Sequence, residues 1–118
     1  MSFVLMGATG VSLAQTVVAT VTVGTQPTAI GVNPTTNKIY VANHGSRNVS
    51  VIDGATNGVV ATVTAGTYPT AIGVNPTTNK IYVANYGSKN VSVIDGATNG
   101  VVATVTVGTQ PTAIGVNP

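Results

Sequence analysis

The chain has 118 residues, of which about 5% are charged, and it contains one His, one Phe and neither Cys nor Trp. Four cations against two carboxylates give a net charge of +2, too sparse for a surface that tracks nucleic-acid phosphates, and the lack of cysteine excludes disulfides and thiolate metal sites. Val and Thr, with Gly, Asn and Pro between them, point to an all-β fold, because β-branched side chains fit a pleated surface and the others make turns.

The first residues, MSFVLMGATGVSLAQ, hold an apolar run from Phe3 to Leu13 followed by Ala14. This suits the end of a secretory signal cleaved after Ala14, although no Lys or Arg precedes Lys38. The alternative is an irregular edge strand at residues 11–14. Residues 1–16 are therefore set apart as a signal remnant or irregular segment, and the run is too short to span a bilayer.

From Val17 onward the chain repeats itself every 42 residues: Val17 to Gly58 match Val59 to Gly100, and Val101 to Pro118 begin a third copy. The first two copies differ at four places, Val23/Ala65, Gln26/Tyr68, His44/Tyr86 and Arg47/Lys89. Such near-identity implies recent duplication or an engineered repeat.

Turn signals cut each copy into four short strands. VVATVTV at 17–23 leads through GTQP to TAIGV at 28–32; the turn NPTTN leads to KIYVAN at 38–43; HGSRN leads to VSVID at 49–53; GATNG closes the copy. Pro34 and Pro76 preset φ, Gly45 and Gly87 can take positive φ, and Asn57-Gly58 and Asn99-Gly100 are favoured hairpin dipeptides. Four antiparallel strands in about 40 residues is the arithmetic of a β-propeller blade. In TAIGV the small Ala29 and Gly31 share one side and Ile30 and Val32 the other, so a neighbour can approach closely on the small side, as an innermost strand requires.

The segments IYVANHGSRNVSVID and IYVANYGSKNVSVID resemble the YVTN family of β-propeller repeats, with YVAN at Tyr40–Asn43 and Tyr82–Asn85 where that family reads YVTN. The resemblance covers residues 17–118. It implies blades of strands A (TAIGV), B (KIYVAN), C (VSVID) and D (VVATVTV), and a secreted, periplasmic or cell-surface location. It also implies rings of about seven blades, of which this chain holds far fewer.

In that register the chain reads as a strand D at 17–23, two blades at 28–66 and 70–108, and an orphan strand A at 112–116. Two blades alone would expose apolar faces of several hundred Å², forfeiting on the order of 10 kcal/mol. Closure by homo-oligomerisation, as a dimer or trimer, is expected.

Little chemistry is visible. The chain has no Glu and its two Asp are far apart in sequence, so no acid-base pair or activated nucleophile is expected; nor is a cofactor or a metal. DGATNG at 53–58 and 95–100 resembles the start of a calcium loop, but Ala55 and Ala97 stand at a required ligand position. NVS at 48–50 and 90–92 matches a glycosylation sequon. All four differences between copies fall in or beside the D–A and B–C loops, which share one face. Gln26, His44, Arg47, Tyr68, Tyr86 and Lys89 are therefore the candidate binding residues, for a protein or glycan. The functional expectation is a non-enzymatic surface scaffold; the alternative is a fragment of a longer propeller, or a designed repeat, with no function at this length.

Overall fold

A computed structural model describes residues 15–118. The signal-remnant reading of the first residues concerns a segment outside the described residues, apart from Gln15 and Thr16.

Two antiparallel four-stranded sheets make up the fold. The first blade holds β1 (Pro27–Asn33), β2 (Lys38–Asn43), β3 (Asn48–Asp53) and β4 (Gly58–Thr64). The second holds β5 (Pro69–Asn75), β6 (Lys80–Asn85), β7 (Asn90–Asp95) and β8 (Gly100–Thr106). Spatial order follows chain order in both sheets, so every connection is a tight turn between neighbours. The sequence-based strands A to D fall on these elements within about a residue. Asn37, Asn57, Asn79 and Asn99 take positive φ of 54–59° in the turns, where asparagine tolerates the left-handed region.

Residues 17–23 and 112–116, for which the sequence predicts strands, form no ladder. Residues 112–116 nevertheless lie where the innermost strand of a further blade would lie. A Cβ on Gly73 would fall 2.5 Å from Ile114 Cγ2, just as one on Gly31 would fall 2.5 Å from Ile72 Cγ2. The Thr70 hydroxyl donates to the Pro111 carbonyl at 3.3 Å, as that of Thr28 donates to Pro69 at 3.1 Å. Among the described residues no strand pairs with it.

Pleating gives each blade two faces. Cross-strand partners Tyr40↔Val51, Ala42↔Val49 and Val49↔Val63 put Tyr40, Val49, Val51 and Val63 on one face, here termed trailing. The opposite, leading face of the second blade presents Ile72, Val74, Ile81, Val83 and Ile94. These two sets interlock into the core of the molecule. Strand β1 turns its small side to the second blade, so the methyls of Ile72 and Val74 seat against Gly31.

Tyr40 is fully buried in this interface and its hydroxyl has no hydrogen-bond partner. Burial pushes its phenol above the usual value. The folded protein thus holds that proton more tightly than the unfolded chain, so stability is level below about pH 10 and is lost as pH rises beyond it. Tyr40→Phe removes an unpaired polar atom at little change of shape. It is expected to leave stability at neutral pH unchanged or raised by about 1 kcal/mol, and to flatten the alkaline loss, as urea melts at pH 7 and above pH 10 would show.

The repeat supplies its own control for core packing. Ile81 is fully buried between the blades, while its twin Ile39 lies half-buried on the leading face of the first blade. Ile81→Ala is expected to cost about 2–5 kcal/mol in equilibrium unfolding and Ile39→Ala clearly less.

Candidate functional site

The loop face is built from two connections per blade. The segment entering a blade's innermost strand (residues 24–26 and 66–68) lies against the turn between its second and third strands (residues 44–47 and 86–89). In the first blade the His44 N–H donates to the Gln26 carbonyl at 2.9 Å and the Gly45 N–H to that of Thr25 at 3.0 Å. In the second, Tyr86 donates to Tyr68 and Gly87 to Thr67, both at 2.9 Å.

Buried polar side chains hold these connections. Asn43, the last residue of YVAN, is fully buried and its amide nitrogen donates to Asn48 Oδ1 and Ser50 Oγ, both at 2.9 Å. Asn85 repeats both contacts at 2.9 Å and also accepts the Gly66 N–H at 3.1 Å. Ser46 Oγ accepts the Thr25 N–H at 2.6 Å, and Ser88 Oγ accepts that of Thr67. A serine in each copy, joined in the second by Asn85, therefore fixes the loop that carries residue 26 or 68, while Asn43 Oδ1 in the first copy has no hydrogen-bond partner. Sequence reasoning missed them because it looked for groups that titrate rather than groups that brace; their recurrence at identical register positions is the signal that could have found them.

Three of the six candidate residues meet through their side chains. The imidazole of His44 stacks on the Tyr68 ring with centroids 4.6 Å apart and planes within 10°, and the Arg47 guanidinium lies 5.5 Å from the centre of the same ring. The cluster joins the two blades, since His44 and Arg47 belong to the first and Tyr68 enters the second. Gln26 and Tyr86 adjoin it through the backbone hydrogen bonds given above, and Lys89 is not brought to it. His44 is half-buried, while Arg47 and Tyr68 are exposed.

These side chains stand on costly backbone. Gln26, Tyr68 and Gln110 have φ of 55°, and Arg47 and Lys89 have φ of 59°. For residues other than Gly, Asn or Asp the left-handed region costs roughly 1–2 kcal/mol each, and such positions gather at functional sites.

The opposite end of the blades is occupied by structural contacts. Asp53 and Asp95 accept the N–H groups of Ala55 and Ala97 at 3.0 and 3.1 Å, capping their own turns, and Asp95 lies 3.7 Å from Lys80. Asn33 Nδ2 donates to Asn79 Oδ1 across the blades at 3.0 Å. Among the described residues no cluster of three or more His, Cys, Asp or Glu could hold a metal ion.

With this geometry in place, a family model described as a lactonase, seven-bladed β-propeller, matches residues 9–118. The chain belongs to that lactonase family. No curated protein matches it. Among solved structures, the Kuenenia stuttgartiensis hydrazine synthase is 26% identical with a TM-score of 0.73, over 80% of this chain and 27% of that one. Apo AztD from Citrobacter koseri is 21% identical with a TM-score of 0.66, over 75% of this chain and 26% of that one. The Cps50 (Swd1) β-propeller domain of Myceliophteria thermophila is 14% identical with a TM-score of 0.70, over 80% of this chain and 28% of that one. The two more distant likenesses carry the fold alone. The lactonase-family chain thus spans about a quarter of the length of these structures.

Membership corrects one expectation. The sequence was read as non-enzymatic, whereas the lactonase family points to a hydrolytic enzyme. The reason lies in what two blades can display. The loop face of a ring draws side chains from every blade, so the shortage of acid-base pairs in two of them says little about the whole face.

The twin positions Arg47 and Lys89 share φ of 59°, but Arg47 alone of the pair lies over an aromatic ring. Lys89→Asn should therefore stabilise through relief of the backbone. Arg47→Asn should gain roughly 0.5–1 kcal/mol less, the worth of an exposed cation–π contact, as paired denaturation curves would show.

Proposed function

We propose that the chain forms two blades of a lactonase-type propeller. Its loop face, with Gln26, His44, Arg47, Tyr68, Tyr86 and Lys89, receives a cyclic ester or the hydroxy acid formed from it. The His44–Tyr68–Arg47 stack carries this reading: a base and a permanent cation, 4.6 Å and 5.5 Å from one ring at a blade junction. Two of its three residues, Tyr68 and Arg47, have φ of 55° and 59°, where Gly or Asn would be easier to accommodate.

Opening a lactone with water needs a group to take the proton of the attacking water and a positive or donating group beside the carbonyl oxygen. The His44 imidazole takes that proton and returns it to the ring oxygen as the acyl C–O bond breaks. The Arg47 guanidinium faces the developing oxyanion and afterwards the product carboxylate, a partner suited to its fork of N–H donors. The Tyr68 ring fixes both side chains. His44 stands opposite Tyr86 in the repeat, so the chemistry is assigned to one blade junction and not to every copy.

The description of the family as lactonases supports the reaction class. The family's seven blades, against two complete sheets among the described residues, also support the alternative of a section of a longer propeller. A secreted or surface location and YVTN-type repeats remain part of the proposal, supported by the YVAN segments.

Release of acid from δ-valerolactone, followed in a pH-stat, tests the assignment. The full chain is expected to exceed buffer, with His44→Ala lowering the rate at least about 10-fold and Arg47→Ala raising KM. A chain no faster than buffer, or one indifferent to both substitutions, would overturn it.

A further inference from the structure

The loop between the third and fourth strands of each blade reads DGATNG, at residues 53–58 and 95–100, and so holds an Asp-Gly pair and an Asn-Gly pair. A glycine after either side chain exposes its backbone nitrogen to the side-chain Cγ, because no Cβ hinders the approach. The structure treats the two pairs oppositely. At Asp53-Gly54 the carboxylate accepts the Ala55 N–H at 3.0 Å, the Gly54 N–H donates to the Asn37 carbonyl at 2.8 Å, and a Cβ on Gly54 would collide with the Asn37 side chain. Asp95-Gly96 is held in the same way, by the Ala97 N–H at 3.1 Å and the Asn79 carbonyl at 2.9 Å. Carboxylate and nitrogen are both engaged there, and the space around them is filled.

Later in the same loop the surroundings are open. Asn57 is exposed, with φ of 59°, and a Cβ on Gly58 would meet only the Thr56 hydroxyl, at 3.3 Å. The Gly58 N–H donates to that hydroxyl at 3.2 Å, and Gly58 stands on the last rung of the β3–β4 ladder, opposite Asp53, where fraying breaks no core contact. Asn99-Gly100 repeats the arrangement: Asn99 has φ of 59°, and the Gly100 N–H donates to the Thr98 hydroxyl at 3.3 Å. The remaining asparagines are guarded. Asn33, Asn75 and Asn117 precede proline, which has no N–H to attack with. Asn43 and Asn85 are fully buried, and Asn48 and Asn90 accept their amide N–H groups and precede valine. Asn37 and Asn79 precede lysine and are packed against Gly54 and Gly96.

We propose that Asn57 and Asn99 are sites of spontaneous deamidation in the folded protein. The Gly58 nitrogen bonds to Asn57 Cγ as the Cγ–Nδ2 bond breaks, and the proton lost from that nitrogen departs with Nδ2 as ammonia. Water then opens the cyclic imide at either carbonyl, leaving aspartate or isoaspartate. Gly100 and Asn99 follow the same course. Each event adds one carboxylate, so conversion of both loops takes the formal net charge from +2 to zero, and a chain without net charge associates more readily. The new charges arise beside Asp53 and Asp95, at the end of the blades away from the loop face, so the His44–Tyr68–Arg47 cluster keeps its surroundings.

Mass spectrometry of the full chain, held at body temperature and mildly alkaline pH until a synthetic peptide GATNGVV is half converted, tests this. Cleavage after Lys and Arg places the two loops in separate peptides, residues 48–80 and 90–118. Both are expected to gain the mass of an amide-to-acid exchange, located by fragmentation at Asn57 and Asn99, with Asp53 and Asp95 free of isoaspartate. The Gly58→Ala chain, whose added methyl meets only a hydroxyl, is expected to lose the gain at Asn57 and keep it at Asn99. Far-ultraviolet circular dichroism during the incubation confirms that the sheets persist. Absence of the gain in both peptides, conversion at Asn37 or Asn79 as fast as at Asn57, isoaspartate forming as fast at Asp53, or a Gly58→Ala chain converting like wild type would each overturn the proposal.

Discussion

The seating of Ile72 and Val74 on the small side of the first blade's innermost strand sets the spacing between blades. A side chain at Gly31 would put its Cβ 2.5 Å from Ile72 Cγ2 and 2.9 Å from Val74 Cγ2, so the approach exists only because that position is glycine. Both partners are β-branched and stiff at χ1, so they cannot swing aside at low cost. Once this distance is set, Tyr40, Val49, Val51 and Val63 reach the second sheet and lose their contact with water. At roughly 25 cal/mol per Å² of apolar surface, this face supplies the stabilisation that a lone four-stranded sheet lacks. The alternation of small and large side chains in TAIGV is thus a packing code, read once between the blades and again at residues 112–116.

The same spacing brings the loops together. Because the blades stand close, Tyr68 at the entrance to the second reaches His44 and Arg47 on the first, and a junction of two sheets becomes a cluster of three polar side chains. Buried amides and hydroxyls keep it in place. A serine in each turn after YVAN, and in the second blade Asn85 as well, satisfy the backbone of the entering loop, which would otherwise bring unpaired N–H groups against the sheet. In the second blade, packing in the interior and positioning on the loop face are therefore coupled through Asn85.

Strand order, turns and the small-large alternation of strand A were legible in the sequence, since each depends on side chains within one copy. The His44–Tyr68 stack was not, because it pairs a residue of one copy with the loop of the next, and alignment of the copies places His44 opposite Tyr86. Residues 17–23 and 112–116 have strand composition, yet a strand is defined by its partner, and residues 112–116 keep the position of one without the ladder. Catalysis was the furthest from view. A search for paired acids and bases within two blades turned away from an enzyme, and membership of a lactonase family restored that possibility through the repeat pattern instead of through any single reactive residue.

The glycine contact is the point at which the account is most exposed, and the repeat provides its control. A Cβ at Gly31 meets two stiff side chains, whereas one at Gly115, the same position two copies later, meets nothing within 4 Å. Urea denaturation of Gly31→Ala and Gly115→Ala therefore measures the seating directly. The prediction is a loss of about 1–3 kcal/mol for Gly31→Ala and a change within about 0.5 kcal/mol for Gly115→Ala. Equal and small effects at both positions would contradict the claim that glycine at this site sets the spacing of the blades.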